Sequence, residues 1–126
     1  TMNIKEYFER KEGTGVLATA DDQGRVDAAV YARPHVMDDG LLAFIMTNRL
    51  THSNLESNPQ AVYLFREEGE GYRGTRLYLK KVREEQDSDL LRSLRRRKYS
   101  PEHEESMKPL YLVFFEVNEQ RPLVGS

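Results

Sequence analysis

Residues 41–65 read LLAFIMTNRLTHSNLESNPQAVYLF, two strand-like apolar runs on either side of a polar turn. LLAFIM (41–46) has the length and continuity of a largely buried strand, and AVYLF (61–65) is a second. Between them Thr51 is a candidate N-cap for a helix about two turns long. Asn58–Pro59 ends that helix, because the residue before a proline avoids helical angles. The turn gathers hydroxyls, an arginine, a histidine and amides, and holds no acid before Glu56.

Upstream, GVLATA (15–20) and RVDAAVYARPHV (25–36) read as strands joined by the turn DDQG, a hairpin signal. Pro34 should disturb or end the second ladder. NIKEYFERK (3–11) reads as a short helix capped by Asn3, with Glu6 in the reciprocal capping position. Downstream, EEGEGYRG (67–74) is a loop and RLYLKKV (76–82) a fifth strand. SDLLRSLRRRKY (88–99) has leucines at helical spacing, with acids leading and bases trailing as the helix dipole prefers. Pro101 marks its exit, PEHEESMK (101–108) is a polar connector, and PLYLVFFEV (109–117) is a strongly β-prone sixth strand. The expectation is a mainly β chain: six antiparallel strands in a small closed or partly open barrel, with two or three short helices.

At 126 residues the chain suits one domain, 1–126. Its 19 basic and 21 acidic residues give a net charge of -2, which asks for no nucleic-acid partner. The absence of cysteine excludes disulfides, thiolate metal sites and iron–sulfur clusters. No apolar run approaches the roughly 20 residues of a spanning helix, and no signal-peptide pattern opens the chain. A cytoplasmic protein without membrane association is expected. His35, His52 and His103 lack a paired ligand spacing, so no metal site is expected.

Thr47–His52 is the main candidate site. A helix start carries unpartnered amides and the positive end of the dipole, and it binds phosphate readily. The hydroxyls of Thr47 and Thr51 can donate to phosphate oxygens, and Arg49 adds a charged fork. Simple capping with a solvated arginine fits the same residues. Arg33 either lines a cleft at the barrel rim or faces solvent. Tyr72, in the glycine-rich loop, either stacks on a planar ligand or decorates a loop tip. The RSLRRRKY run fits a solvated helix face better than a nucleic-acid contact.

Three stretches in combination resemble the pyridoxamine 5'-phosphate oxidase-like superfamily of FMN-binding split barrels. They are GVLATADDQGRVDAAVYARP (15–34), LLAFIMT (41–47) and NLESNPQAVYLF (54–65), and the likeness extends over residues 16–117. The resemblance implies a six-stranded antiparallel split barrel of Greek-key type, forming a homodimer with FMN in clefts at the subunit interface. It implies that Thr47, Asn48, Arg49, Leu50, Thr51 and His52 hold the FMN phosphate. Ala32, Arg33 and Pro34 would lie along the flavin, and Tyr72 would reach it from the partner subunit. Asn54 would orient the turn. Many members carry lysine where this chain has Thr51, so Arg49 is the expected replacement charge. The chain has no tryptophan and lacks the C-terminal segment with which the oxidases proper grip the vitamin. It looks more like the small FMN-binding proteins of the group. An FMN-dependent oxidoreductase using NAD(P)H or another small-molecule donor is expected, with a flavin carrier or sensor, or a haem-binding relative of the fold, as the alternatives.

Overall fold

A computed structural model describes residues 3–125. Helix α1 (Ile4–Arg10) is capped by Asn3, whose side chain accepts from the Glu6 amide, and it buries Phe8. β1 (Gly13–Ala20) and β2 (Val26–Val30) form the expected hairpin, with Ala20 opposite Val26. Its turn is closed locally. The Asp21 carboxylate accepts from the amides of Gln23 and Arg25, both at 2.9 Å, and Gly24 takes φ 81°.

The next segment departs from expectation. Residues 25–36 make two strands, β2 and the short β3 (His35–Val36). Proline has no amide for a ladder, and Arg33 beside it turns its guanidinium onto the carbonyls of Phe8 and Lys11. β3 pairs with β4 (Leu42–Thr47) instead of with β1. The remaining elements are α2 (Leu50–Ser57), β5 (Gln60–Glu67), β6 (Gly74–Gln86), α3 (Asp89–Leu94), α4 (Pro101–Met107) and β7 (Leu110–Pro122).

The strands make one antiparallel sheet in the order β2-β1-β5-β6-β7-β4-β3. β2 and β3 are therefore opposite edges, yet only residues 31–34 separate them in the chain. So short a link holds the two edges close, and the sheet must curl into a barrel. Tyr31 sits in the seam, edge-on to Phe44 of β4 with ring centroids 6.1 Å apart. No ladder joins β2 to β4, so the barrel is split there. This is the mainly β split barrel that the sequence implied, with seven strands in place of six because the second one divides.

Two further elements differ. The helix expected over 88–99 ends at Leu94, so Arg95–Arg97 lie in the connection beyond it. The connector expected at 101–108 is helical: Ser100 caps α4, Pro101 sits in its first turn and Glu102 and Glu104 favour the start. Pro101 opens a helix and does not close one.

Leu17, Phe44, Tyr63, Phe65, Leu77 and Phe115 fill the barrel, joined by Phe8 from α1 and Leu55 from α2. A second cluster of Ala43, Leu91, Leu110, Leu112 and Phe114 lies outside, under α3. β4 and β7 are thus covered on both faces, which is why LLAFIM and LYLVFF are apolar without alternation.

Candidate functional site

Helix α2 lies across the split, contacting β1, β2 and β4. Leu55 anchors it in the core, and the buried Asn54 amide donates to the Thr19 hydroxyl at 3.1 Å. Asn54 therefore fixes the helix and does not present itself to a ligand. The start of α2 differs from expectation. Arg49, not Thr51, occupies the N-cap position, and no side chain caps the helix there. Thr51 is buried in the first turn of the helix.

A groove of about 490 Å³ opens between β2, the end of β4 and this helix start. Thr47, Arg49, Leu50 and Thr51 form one wall. Asp27, Ala29, Val30 and Tyr31 form the other, with Ala32 at its end and Ile45 and Met46 below. Among the described residues the Arg49 guanidinium makes no ion pair or side-chain hydrogen bond. Among the described residues that line the groove, Arg49 is the one cation and Asp27 the one acid. Burial is the main cause that raises the Tyr31 phenol above its usual value; the Thr51 hydroxyl opposes this and Asp27 adds to it.

The structure thus brings together Ala32, Thr47, Arg49, Leu50 and Thr51 of the expected residues. Asn48 is exposed in the turn and does not line the groove. His52 contributes its main chain to the helix start, but its ring points elsewhere. It is buried and stacked on Tyr111 at 3.7 Å, with Nε2 3.0 Å from Glu84. Arg33 and Pro34 line a neighbouring hollow against α1, and Arg33 is engaged by the carbonyls of Phe8 and Lys11 at 2.9 and 2.8 Å. That engagement is a structural one that holds the end of α1. Tyr72 is 76% exposed at the loop tip, under the Arg66 guanidinium, and outside the groove of its own chain.

Sequence reasoning missed Asp27, Ala29, Val30, Tyr31, Ile45 and Met46. All six lie within the stretches 15–34 and 41–47 that carry the family resemblance, but not among the residues it assigns to the site. The one available signal was that Tyr31 immediately precedes Ala32–Pro34.

The outer face beside the groove is apolar. Val30 pairs with Val16 and Val16 with Leu64; Ala28 pairs with Ala18 and Ala18 with Val62. Directly paired residues share a face, so these rows form a continuous apolar strip over β2, β1 and β5. Val26 and Val30 are 84% and 74% exposed at its edge. Among the described residues no group of three or more His, Asp or Glu is placed to hold a metal, and no helix is long and apolar enough to cross a membrane.

Comparison with solved structures shows the same fold at low identity. An FMN-binding protein from Syntrophomonas wolfei superposes with a TM-score of 0.75 at 15% identity, covering 98% of this chain and 85% of that one. An F420 reductase gives 0.70 at 17%, covering 96% and 98%. A putative pyridoxamine 5'-phosphate oxidase from Lactobacillus delbrueckii gives 0.70 at 11%, covering 96% and 93%. No family model matches the sequence, and neither does any curated protein.

Proposed function

We propose that this groove binds FMN and that the protein is a flavin-dependent oxidoreductase acting as a homodimer. The observation that carries the reading is the start of α2. A helix terminus without a side-chain cap lies beside an arginine whose guanidinium has no partner among the described residues, and beside two threonine hydroxyls, at the mouth of a groove. Those are the donors a phosphate monoester needs: main-chain amides, a guanidinium fork and hydroxyls. The solved flavoprotein structures of the same fold support a flavin as the ligand, at the level of fold alone.

In this reading Arg49, Thr47 and Thr51 hold the phosphate. Tyr31, Ala32 and Ile45 flank the flavin ring and keep water from it. Bound FMN would supply hydride or electron transfer between a donor such as NAD(P)H and a small-molecule acceptor. The apolar strip over β2, β1 and β5 faces a second copy. Its position beside the groove lets that copy complete the site, and Tyr72 of the partner is a candidate contact.

Absorbance-monitored FMN titration tests the reading. Flavin bound with a shifted visible spectrum is expected, and absence of binding sinks the proposal. Anaerobic addition of NADH or NADPH then separates an oxidoreductase from a flavin carrier. The carrier reading draws on the groove's ionisable groups, Asp27, Tyr31 and Arg49, which form no nucleophile–base pair. Bleaching of the flavin by either donor, followed by re-oxidation with an acceptor, supports turnover.

A further inference from the structure

Beside the groove lies a second cavity of about 290 Å³, sharing Tyr31, Ala32 and Ile45 with it. Phe44, Ile45, Met107 and Leu110 make its apolar side. Its other side is cationic: Arg33, Arg95, Arg96 and Arg97 line it, and no acid does among the described residues. Two of the four are committed. Arg33 holds the carbonyls of Phe8 and Lys11, and Arg95 pairs with Glu104 at 2.5 Å. Arg95 nonetheless keeps a buried Nε that has no partner among the described residues. Neither Arg96 nor Arg97 has an ion pair or hydrogen bond among the described residues.

Arg96 and Arg97 are both exposed, so solvent reaches their guanidinium groups at the cavity's edge. Partial burial and the nearby Arg33 both disfavour the Arg96 charge. His35 adds no further positive charge: burial first, and Arg96 second, push its pKa down to about 4, so it is neutral at physiological pH. Cations gathered at an apolar cavity without lining acids are complementary to an anion, and a guanidinium fork matches the oxygens of a carboxylate as well as those of a phosphate. The volume is at the small end of ligand cavities, roughly 300–1,000 Å³, which suits a single ring or short chain.

We propose that this cavity binds a small organic carboxylate, its anionic group on Arg96 and Arg97 and its apolar body against Phe44, Ile45 and Met107. Sharing Tyr31, Ala32 and Ile45 with the groove puts that ligand next to the flavin ring, so its role as the oxidoreductase substrate rests on the FMN reading; its binding does not.

Calorimetric titration of the protein, with and without FMN, uses benzoate as the probe and benzyl alcohol as its uncharged counterpart. Benzoate is expected to bind at least about tenfold more tightly, the usual scale for a charge-assisted pair. Arg96→Gln with Arg97→Gln should remove that advantage while leaving benzyl alcohol binding and FMN affinity unchanged. Arg97→Gln alone, at an exposed position, gives the same test where the double variant fails to fold. Met107→Ala should weaken both probes. Equal binding of the two probes, undiminished benzoate binding by the arginine variants, or no benzoate binding overturns the proposal. Phenyl phosphate bound where benzoate is not overturns the carboxylate assignment. FMN binding without benzoate binding refutes this cavity alone, and benzoate binding without FMN binding refutes the groove alone.

Discussion

The Tyr63 hydroxyl donates to the main-chain carbonyl of Tyr31 across 3.0 Å, tying a fully buried core side chain to the rim of the groove. The Tyr31 amide in turn donates to Gly15 at 2.9 Å. Both main-chain groups of Tyr31 are thus held, one by a core side chain and one by strand β1. Tyr63→Phe leaves a carbonyl without its donor, which should cost about 1–3 kcal/mol. Urea unfolding should show that loss, and FMN titration a weaker complex. An unchanged unfolding midpoint would contradict the role given to this bond.

Gly15 lies directly against that pair. A Cβ at this position would sit 1.8 Å from the Tyr63 hydroxyl and 2.7 Å from the Tyr31 carbonyl oxygen. The tyrosine ring is packed in the core and cannot swing away. Gly15→Ala should therefore destabilise by at least the roughly 1–3 kcal/mol of an overpacked core, and should weaken FMN binding too. Gly24→Ala is a useful comparison. It meets nothing within 4 Å, and only its φ of 81° opposes the methyl group. That cost is about 1 kcal/mol, without effect on FMN.

Arg49→Ala should separate FMN from riboflavin. Losing a charge-assisted phosphate contact costs about 1.5–3 kcal/mol, or roughly ten- to a hundredfold in Kd. Riboflavin has no phosphate and should bind as before. Fluorescence-quenching titrations with both ligands make the comparison, and equal losses would remove Arg49 from the phosphate site.

Glu84 gives a pH-dependent stability term. Desolvation raises its pKa, but the hydrogen bonds from Lys81 at 2.6 Å and from His52, with their charges, outweigh it, and the net shift is downward from 4.5. A carboxylate with a depressed folded pKa stabilises the protein above its unfolded pKa, and the contribution fades as pH falls through the folded value. Glu84→Gln should thus lower stability at pH 7, with the gap to the unaltered protein closing below about pH 4. Urea midpoints at neutral and acidic pH measure this. A gap of the same size at both would show that the ion pairs contribute nothing.

Val30→Asp tests the apolar strip. Placing a carboxylate at the exposed edge beside Val16 should convert a dimer into a monomer in analytical ultracentrifugation and weaken FMN binding in parallel. An unaltered protein that sediments as a monomer would remove the second copy from the proposed site.

Much of this fold is local chemistry and was legible in the chain. Asp21 and Gly24 make the first hairpin from within the turn, and Asn3 caps α1 from within its first turn. Asn58–Pro59 stops α2 at its expected residue. The wall of Thr47, Arg49, Leu50 and Thr51 was legible as a donor-rich segment for the same reason, since its residues lie within five positions. The other wall was not. Asp27, Ala29 and Tyr31 reach it only because the sheet closes on itself, and an edge-to-edge closure leaves no mark in the composition of either edge.

The sequence alone therefore determined the strand-rich character, the turns and a donor-rich segment, because each depends on residues a few positions apart. Tertiary structure decided where those pieces meet. It sent β2 and β3 to opposite edges, committed Arg33 to the carbonyls of α1, and left Arg96 and Arg97 beside an apolar cavity. Those outcomes depend on long-range packing and on which polar groups it brings within reach of one another, and no short-range pattern encodes either.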